Sequence, residues 1–336
     1  MAKVSKKILN DPRNVVTEML DGLALANDGR VERLDGKDIL IRTDLPDSKV
    51  TLLIGGGSGH EPIFHGFVGQ NMGDAAACGQ VFAAPSPDTI MDAAMAAHRG
   101  KGILFLYGNY AGDNMNFDIA AELLEEEEGI DVRTVRVNDD VAAAPPERAD
   151  DRRGIAGDIY AIKVAGGAAE ECDTLDEVER IARKAVGNLR SMGVAVAAGS
   201  IPETGKLTFE LADDEIEIGM GAHGEAGIAK QKIASADDVA DQIMEKILDD
   251  MPLGKGDEIA LMINNLGATT MMEMLIVNRR VRQILADRGT NVHRTDVGTF
   301  LTVQEMAGFS ITVMKLDDEL KHYLDLPARS VGLSNM

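Results

Sequence analysis

Tryptophan is absent from this 336-residue chain, and phenylalanine and tyrosine bring the aromatic share only to 4%. Any core must therefore be aliphatic, with the 17 methionines acting as filler rather than as a cofactor box. Cysteine is nearly absent. Cys78 and Cys172 lie far apart with no metal-ligand spacing, so no metal site is expected and both read as reduced thiols of a cytoplasmic protein. Nowhere do about 18 apolar residues run together, so no membrane span is expected. The opening "MAKVSKKILNDPRNVV" has charges but no apolar signal-peptide core. Positive charge is scarce: 34 Lys and Arg stand against 56 Asp and Glu, a net −22. Such a chain has no basic excess to displace counterions, which argues against nucleic acid as a partner.

What is present is a folded composition, 45% hydrophobic, long enough for two domains. Strand-like runs alternate with helix-like ones, the pattern of sheets covered by helices. "VTLLI" leads into a glycine turn, and "PSPDTIMDAAMAAHRG" reads as a helix capped by Ser86 and stopped by Gly100. The strand "GILFLYG" precedes a polar loop, "NYAGDN", and then a helix. Its four glutamates, 125 to 128, are a solvated face rather than a metal site. "DDVAAAPPERADDRRG" is expected to be an exposed loop. Helices follow in "GIAGDIYAIKVAGGAAEE" and "TLDEVERIARKAVGNLRSMG", then strands in "VAVAAGS", "KLTFEL" and "EIEIGMGAHG". The expected fold is two α/β domains, each a mostly parallel or mixed sheet flanked by helices, over 1–186 and 187–336.

The segment "VTLLIGGGSGHEP" poses the functional question. A strand running into glycines invites a phosphate, but the nucleotide patterns fail. The last position of G-x-G-x-x-G falls on His60 or Pro62, and no Gly-Lys pair is followed by Ser or Thr. Pro62 sits where a helix would start, so the turn is expected to deliver His60 at a strand-to-helix junction with free amides nearby. "GNYAGDNMNF" ends another strand and exposes Asp113, unless that residue is simply a helix cap. "GMGAHGEAG" exposes His223, with Glu225 close behind. Such histidines are often structural; two of them with an aspartate, all at strand ends, point to a site.

In order, "GGGSGHEP", "GNYAGDNMNF", "VRVNDDVA", "RRGIAG", "GMGAHGEAG", "NNLGAT" and "MAGFSITVMKLDDEL" make the chain resemble the ketone-binding subunit of the dihydroxyacetone kinases, DhaK, over essentially its whole length. The resemblance implies a cytoplasmic homodimer that holds its substrate at the domain junction. It implies that His223 bonds covalently to the carbonyl carbon of dihydroxyacetone as a hemiaminal. His60 and Asp113 then touch the hydroxyls, and Gly57, Ser58 and Gly59 line the pocket. It further implies that this chain binds no cofactor. ATP, or ADP with Mg, is expected on a nucleotide-bearing DhaL-type partner, with a phosphocarrier protein as the alternative phosphate source. A neutral imidazole can attack a carbonyl, and Asp113 can accept the hydroxyl proton during phosphoryl transfer. Glu225 is a candidate to orient His223, the alternative being a turn-stabilising surface acid. His65 is expected to pack. Where many members carry a lysine before the N-Y-x-G-D loop, this chain has Gly108. That departure opens the pocket to a four-carbon ketose such as erythrulose, or points to a non-catalytic ketone sensor.

Overall fold

The run Val50–Ile54 lies in a six-stranded sheet of the computed structural model, which describes residues 6–27, 29–221 and 223–335. The chain divides into two compact units. The N-terminal unit comprises 8–137, 158–187 and 319–336; the C-terminal unit comprises the residues up to Lys7, 138–157 and 188–318. The expected division at 186/187 meets one of these crossings to within a residue. It does not include the excursion of 138–157 or the return of 319–336. The excursion has an electrostatic reason: Arg152 pairs with Asp250, and the Val141 N–H donates to the Ser191 carbonyl at 3.0 Å.

The N-terminal unit contains α1 (Val15–Leu25), β1 (Val31–Arg33), β2 (Ile39–Arg42), β3 (Lys49–Ser58), β4 (Ala75–Val81), α2 (Pro87–Ala97), β5 (Gly100–Gly108), α3 (Ala111–Glu127), β6 (Val132–Val137), α4 (Gly157–Glu171) and α5 (Leu175–Gly187). Its sheet runs β1-β2-β4-β3-β5-β6. Strands β4, β3, β5 and β6 are parallel, and β1 and β2 add an antiparallel edge. From β3 the chain goes to β4 on one side and then returns to β5 on the other. The strand order therefore reverses at β3, and the C-terminal ends around such a switch point are where open α/β sheets bind ligands. Ile103, Phe105 and Tyr107 of β5 share a core with Ile90 and Ala94 of α2 and Phe117 and Leu124 of α3. Leu104 and Leu106 point the other way and are equally buried, so the strand reads as one unbroken apolar run. Ser86 caps α2, its hydroxyl accepting from the Thr89 N–H at 3.2 Å. That helix stops at Ala97, and Gly100 begins the next strand instead of ending the helix. Strand β4, "AAACGQV", carries no strand signal because alanine and glycine favour sheets poorly; burial between β2 and β3 places it there.

One corner of this unit holds a buried ion cluster. Lys49 Nζ lies 2.7 Å from Asp74 and 2.9 Å from Glu170, and Arg42 joins both acids. Asp74 has no exposed surface and also accepts from the Leu52 N–H at 2.8 Å. Breaking a buried ion network by removing one partner costs about 3–5 kcal/mol. Lys49→Met is thus expected to lower the unfolding free energy by an amount of that order, read as a fall in the urea midpoint, and an unshifted midpoint would refute the role.

The C-terminal unit contains β7 (Leu189–Ala197), β8 (Glu215–Ile218), β9 (Ala229–Lys232), α6 (Ala236–Asp250), β10 (Glu258–Asn265), α7 (Met271–Asp287), β11 (Asn291–Gly298) and β12 (Ala307–Leu316). Its sheet, β11-β10-β12-β7-β8-β9, is mixed, with only β10 and β11 parallel. Ile243 and Ile247 of α6 and Val277 and Val281 of α7 cover Leu261, Ile263, Ile311 and Val313. Ser235 caps α6, and Thr270 with Glu273 forms a capping box on α7. Both units are α/β with helix-flanked sheets, as expected.

Three local expectations are corrected. "KLTFEL" is not a strand: Lys206, Leu207 and Glu210 are exposed, no face of the segment is buried, and Leu207 makes only an isolated bridge to Ser200. The long helix ending in "NLRSMG" stops at Gly187, and those residues run on into β7. "DDVAAAPPERADDRRG" is not simply an exposed loop, because Asp139, Asp140 and Arg152 are all buried. Their charges and hydrogen-bonding capacity are met, with Asp139 accepting from the Ile155 and Gly157 N–H groups at 2.8 Å each. Among the described residues, no helix is long and apolar enough to cross a membrane, and no group of His, Cys, Asp and Glu is arranged for a metal.

Candidate active site

In the N-terminal unit, β3 runs on through the glycines to Ser58 rather than ending at Ile54. Gly57 pairs with Gly79 of β4, and a Cβ at Gly57 would stand 2.9 Å from the Ala83 nitrogen. Glycine is what lets the turn after β4 close over the strand. Ser58 fastens the same place, its hydroxyl donating to the Gly79 carbonyl at 2.7 Å, which leaves that oxygen acceptor capacity only. Gly59 has φ +100°, a conformation other residues rarely adopt, and it turns the chain under the ring of Phe82. His60 follows, 5% exposed, with its ring centroid 5.0 Å from that of Phe82.

The expected helix at Pro62 does not form. The Glu61–Pro62 peptide is cis and the chain passes into a short 3-10 turn, His65–Phe67. Nor is the turn an open cradle: the Gly59 N–H donates to Glu61 Oε1 at 2.7 Å. The anion at this glycine turn is the chain's own carboxylate, so the turn presents a side chain instead of wrapping a phosphate. His65 packs. It is buried, with Nδ1 3.9 Å from Cys78 Sγ and Nε2 4.0 Å from Glu61, and burial pushes its pKa below the ordinary histidine value.

Asp113 is not a helix cap, and "NYAGDN" is not wholly a loop. The N-cap of α3 is Tyr110, and Asp113 sits in the first turn of a helix that begins at Ala111. A carboxylate there is favoured by the helix dipole. Asn114 Nδ2 donates to Asn109 Oδ1 at 2.8 Å and ties the entry to the helix. Because β3 and β5 are parallel neighbours, the segments carrying His60 and Asp113 leave adjacent strand ends.

His223 belongs to the C-terminal unit, in the turn between β8 and β9. Glu225 engages it twice: Oε2 accepts from the His223 N–H at 2.8 Å, and Oε1 lies 3.2 Å from Nδ1. Burial works against the Glu225 charge, but the hydrogen bond and charge of His223 and the turn's backbone N–H groups outweigh it, bringing the pKa down to about 2. An ionised carboxylate only accepts, so in the neutral ring this contact favours the tautomer with the proton on Nδ1 and the lone pair on Nε2. Since the folded pKa is depressed, this stabilisation is present above the ordinary carboxylate range and is lost as pH falls toward 2. Behind Glu225 stands Arg153, its Nη1 4.0 Å away, its Nη2 2.6 Å from Asp140 and 3.2 Å from the Gly219 carbonyl. Burial pushes Asp140 up to about 6 despite Arg153. Glu225→Gln is expected to lower kcat/KM about a hundredfold, because the amide no longer fixes the tautomer; a change under threefold in steady-state kinetics would refute this.

Phe82, Arg153 and Asp140 were not legible as site residues. Phe82 reaches His60 only through the β3–β4 pairing, and its own φ is +58°. Arg153 and Asp140 sit in the charged, proline-containing segment; the motifs "RRGIAG" and "VRVNDDVA" include them without giving either a role.

The fold and these residues define a class: a two-unit α/β protein with a carboxylate-held imidazole in one unit and a histidine and an aspartate at switch-point strand ends in the other. The Dak1 domain model matches residues 21–332. The chain is 43% identical over 324 residues to PTS-dependent dihydroxyacetone kinase 2, dihydroxyacetone-binding subunit DhaK, of Listeria innocua, covering 96% of this chain and 97% of that one. It is 38% identical to the L-erythrulose 1-kinase of Mycolicibacterium smegmatis, covering 96% of this chain and 57% of that one. Among solved structures it superposes on the dihydroxyacetone kinase of C. freundii in complex with AMP-PNP and Mg2+, with TM-score 0.89 and 32% identity over 98% of this chain and 61% of that one. It also superposes on the dihydroxyacetone kinase operon co-activator DhaQ, with TM-score 0.86 and 31% identity over 93% and 96%. The chain belongs to the dihydroxyacetone kinase family, as a DhaK-like member.

Proposed function

We propose that this chain is the acceptor-side subunit of a short-ketose kinase. The observation that carries the reading is the pair of contacts from Glu225 to His223, which hold the ring so that its neutral form offers Nε2 as the nucleophile. Its lone pair adds to the ketone carbon, the C=O π electrons move to oxygen, and that oxygen takes up a proton. The imidazole becomes an N-substituted ring whose positive charge Glu225 offsets. A polyol such as glycerol has no carbonyl and cannot be held this way. With the ketose pinned, His60 and Asp113 take its hydroxyls, and Asp113 accepts the proton of the attacking one as the phosphoryl group arrives. The phosphoryl group comes from a nucleotide on a DhaL-type partner, with Mg. Gly57, Ser58 and Gly59 line the pocket mainly as backbone. The test is intact-mass measurement after incubation with dihydroxyacetone, followed by product formation with a DhaL-type partner. A mass increase of one ketose, abolished by acid release, is expected; no adduct and no product would refute the reading.

A second reading is a ketone-responsive co-activator, favoured by the superposition on DhaQ and by the departure at Gly108. Turnover decides between them, since a co-activator forms the adduct and phosphorylates nothing.

A further inference from the structure

The turn that carries His223 is rich in glycine, with Gly219, Gly221, Gly224 and Gly227 close together, and glycine loses more backbone freedom on ordering than any other residue. Its two ends are fastened. The Gly219 N–H donates to the Gly193 carbonyl at 2.7 Å, and the Gly227 N–H donates to Glu217 Oε1 at 2.7 Å. Between those ends the turn meets a hairpin of the same unit, formed where the chain folds back after β7. There the Ile201 N–H donates to the Lys206 carbonyl at 2.9 Å and the Thr208 N–H to the Gly199 carbonyl at 3.0 Å. Thr208 and Phe209 lie against Gly224: a methyl group added to that glycine would stand 3.1 Å from the Thr208 carbonyl oxygen and 3.5 Å from the Phe209 ring. The opposite side of the hairpin is anchored. Ser200 has no exposed surface; its hydroxyl donates to Glu305 Oε1 and its N–H to Glu305 Oε2 at 3.3 Å. Lys7 Nζ stands 2.6 Å from the same carboxylate. The proposed reaction gives neither Phe209 nor Glu305 a part.

We propose that Phe209 and Glu305 are positioning residues for His223: the hairpin is a brace, set against the nucleophile's turn by Phe209 and held down on its other side by Glu305. This rests on the ketose-binding reading. Glu225 orients the ring within its own turn, but it travels with that turn and does not fix it against the sheet. Bond formation needs Nε2 placed on the ketone carbon, and a misplacement of about 1 Å can cost about a hundredfold. A carboxylate suits the anchor because its two oxygens take the hydroxyl and the N–H of Ser200 together, and hydrogen bonds to an ionised group are roughly twice as strong as neutral ones. Without that acceptor the buried Ser200 hydroxyl is left to find another, and the hairpin is free to lift from Gly224.

The experiment titrates the intact-mass adduct with dihydroxyacetone in the native chain and in Phe209→Ala, Glu305→Ala and Glu305→Gln, and measures kcat at saturating ketose with a DhaL-type partner. Phe209→Ala and Glu305→Ala are each expected to raise the Kd of the adduct about tenfold or more, within the cost of a misplaced group. Their kcat is expected to stay within about threefold of native, because an adduct once formed meets the same His60 and Asp113. Glu305→Gln keeps an amide oxygen for Ser200 and is expected to restore the native Kd to within about threefold. A loss of stability alone moves the melting temperature and leaves the Kd of the folded chain unchanged. If Glu305→Ala does not fold by thermal melting, Phe209→Ala, which leaves the anchor intact, carries the test. A Kd within about twofold of native in every folded alanine variant, or a loss confined to kcat, would overturn the brace while leaving ketose binding intact. Absence of any adduct on the native chain would instead overturn the ketose reading, and this proposal with it.

Discussion

His223→Ala should form no ketose adduct and should lose at least about ten-thousand-fold in kcat/KM, while keeping its fold. The size follows from what the bond does. Fixing a small sugar by its carbonyl turns an encounter into a positioned reaction, and positioning of this kind accounts for about 7–11 kcal/mol of a barrier. Little else in the chain can substitute for it, because a triose offers few atoms to grip. The ring occupies a surface turn and is only partly buried, so its removal leaves the core of β7 to β12 untouched. Intact-mass spectrometry and steady-state kinetics on the same preparation check both halves. An alanine variant that still gains the mass of one ketose would show the nucleophile to be elsewhere.

Asp113→Asn separates binding from chemistry. The adduct should still form, since His223 and Glu225 are unchanged. The kcat should fall about a hundred- to ten-thousand-fold, the range for a general base. The amide is isosteric and keeps its place in the first turn of α3, so the melting temperature should move little. An adduct with undiminished turnover would remove Asp113 from the reaction. A native chain that forms the adduct and never turns over would instead identify the co-activator reading.

Much of the fold was readable because its strong signals are local. The cap at Ser86 acts within three residues, and buried parallel strands such as "GILFLYG" are apolar without interruption. What was not readable depends on pairing across the chain. Strand β4 is alanine and glycine, and only its neighbours β2 and β3 make it a strand. The segment 138–157 looks solvated until Arg152 meets Asp250 nearly a hundred residues away. The site divides the same way. His60, Asp113 and His223 stand at the ends of recognisable elements, and the spacing of Glu225 from His223 hinted at their contact. The free amides expected near the glycine turn were misjudged because Glu61, two residues on, takes the Gly59 N–H.

The central claim is a bond between His223 Nε2 and a ketone carbon, and the most direct measurement is a crystal structure of the chain soaked with dihydroxyacetone or erythrulose. Continuous density from Nε2 to a tetrahedral carbon, with Nδ1 still on Glu225, is the predicted result. A planar ketone lying free of the ring, or density joining it to another side chain, would contradict it.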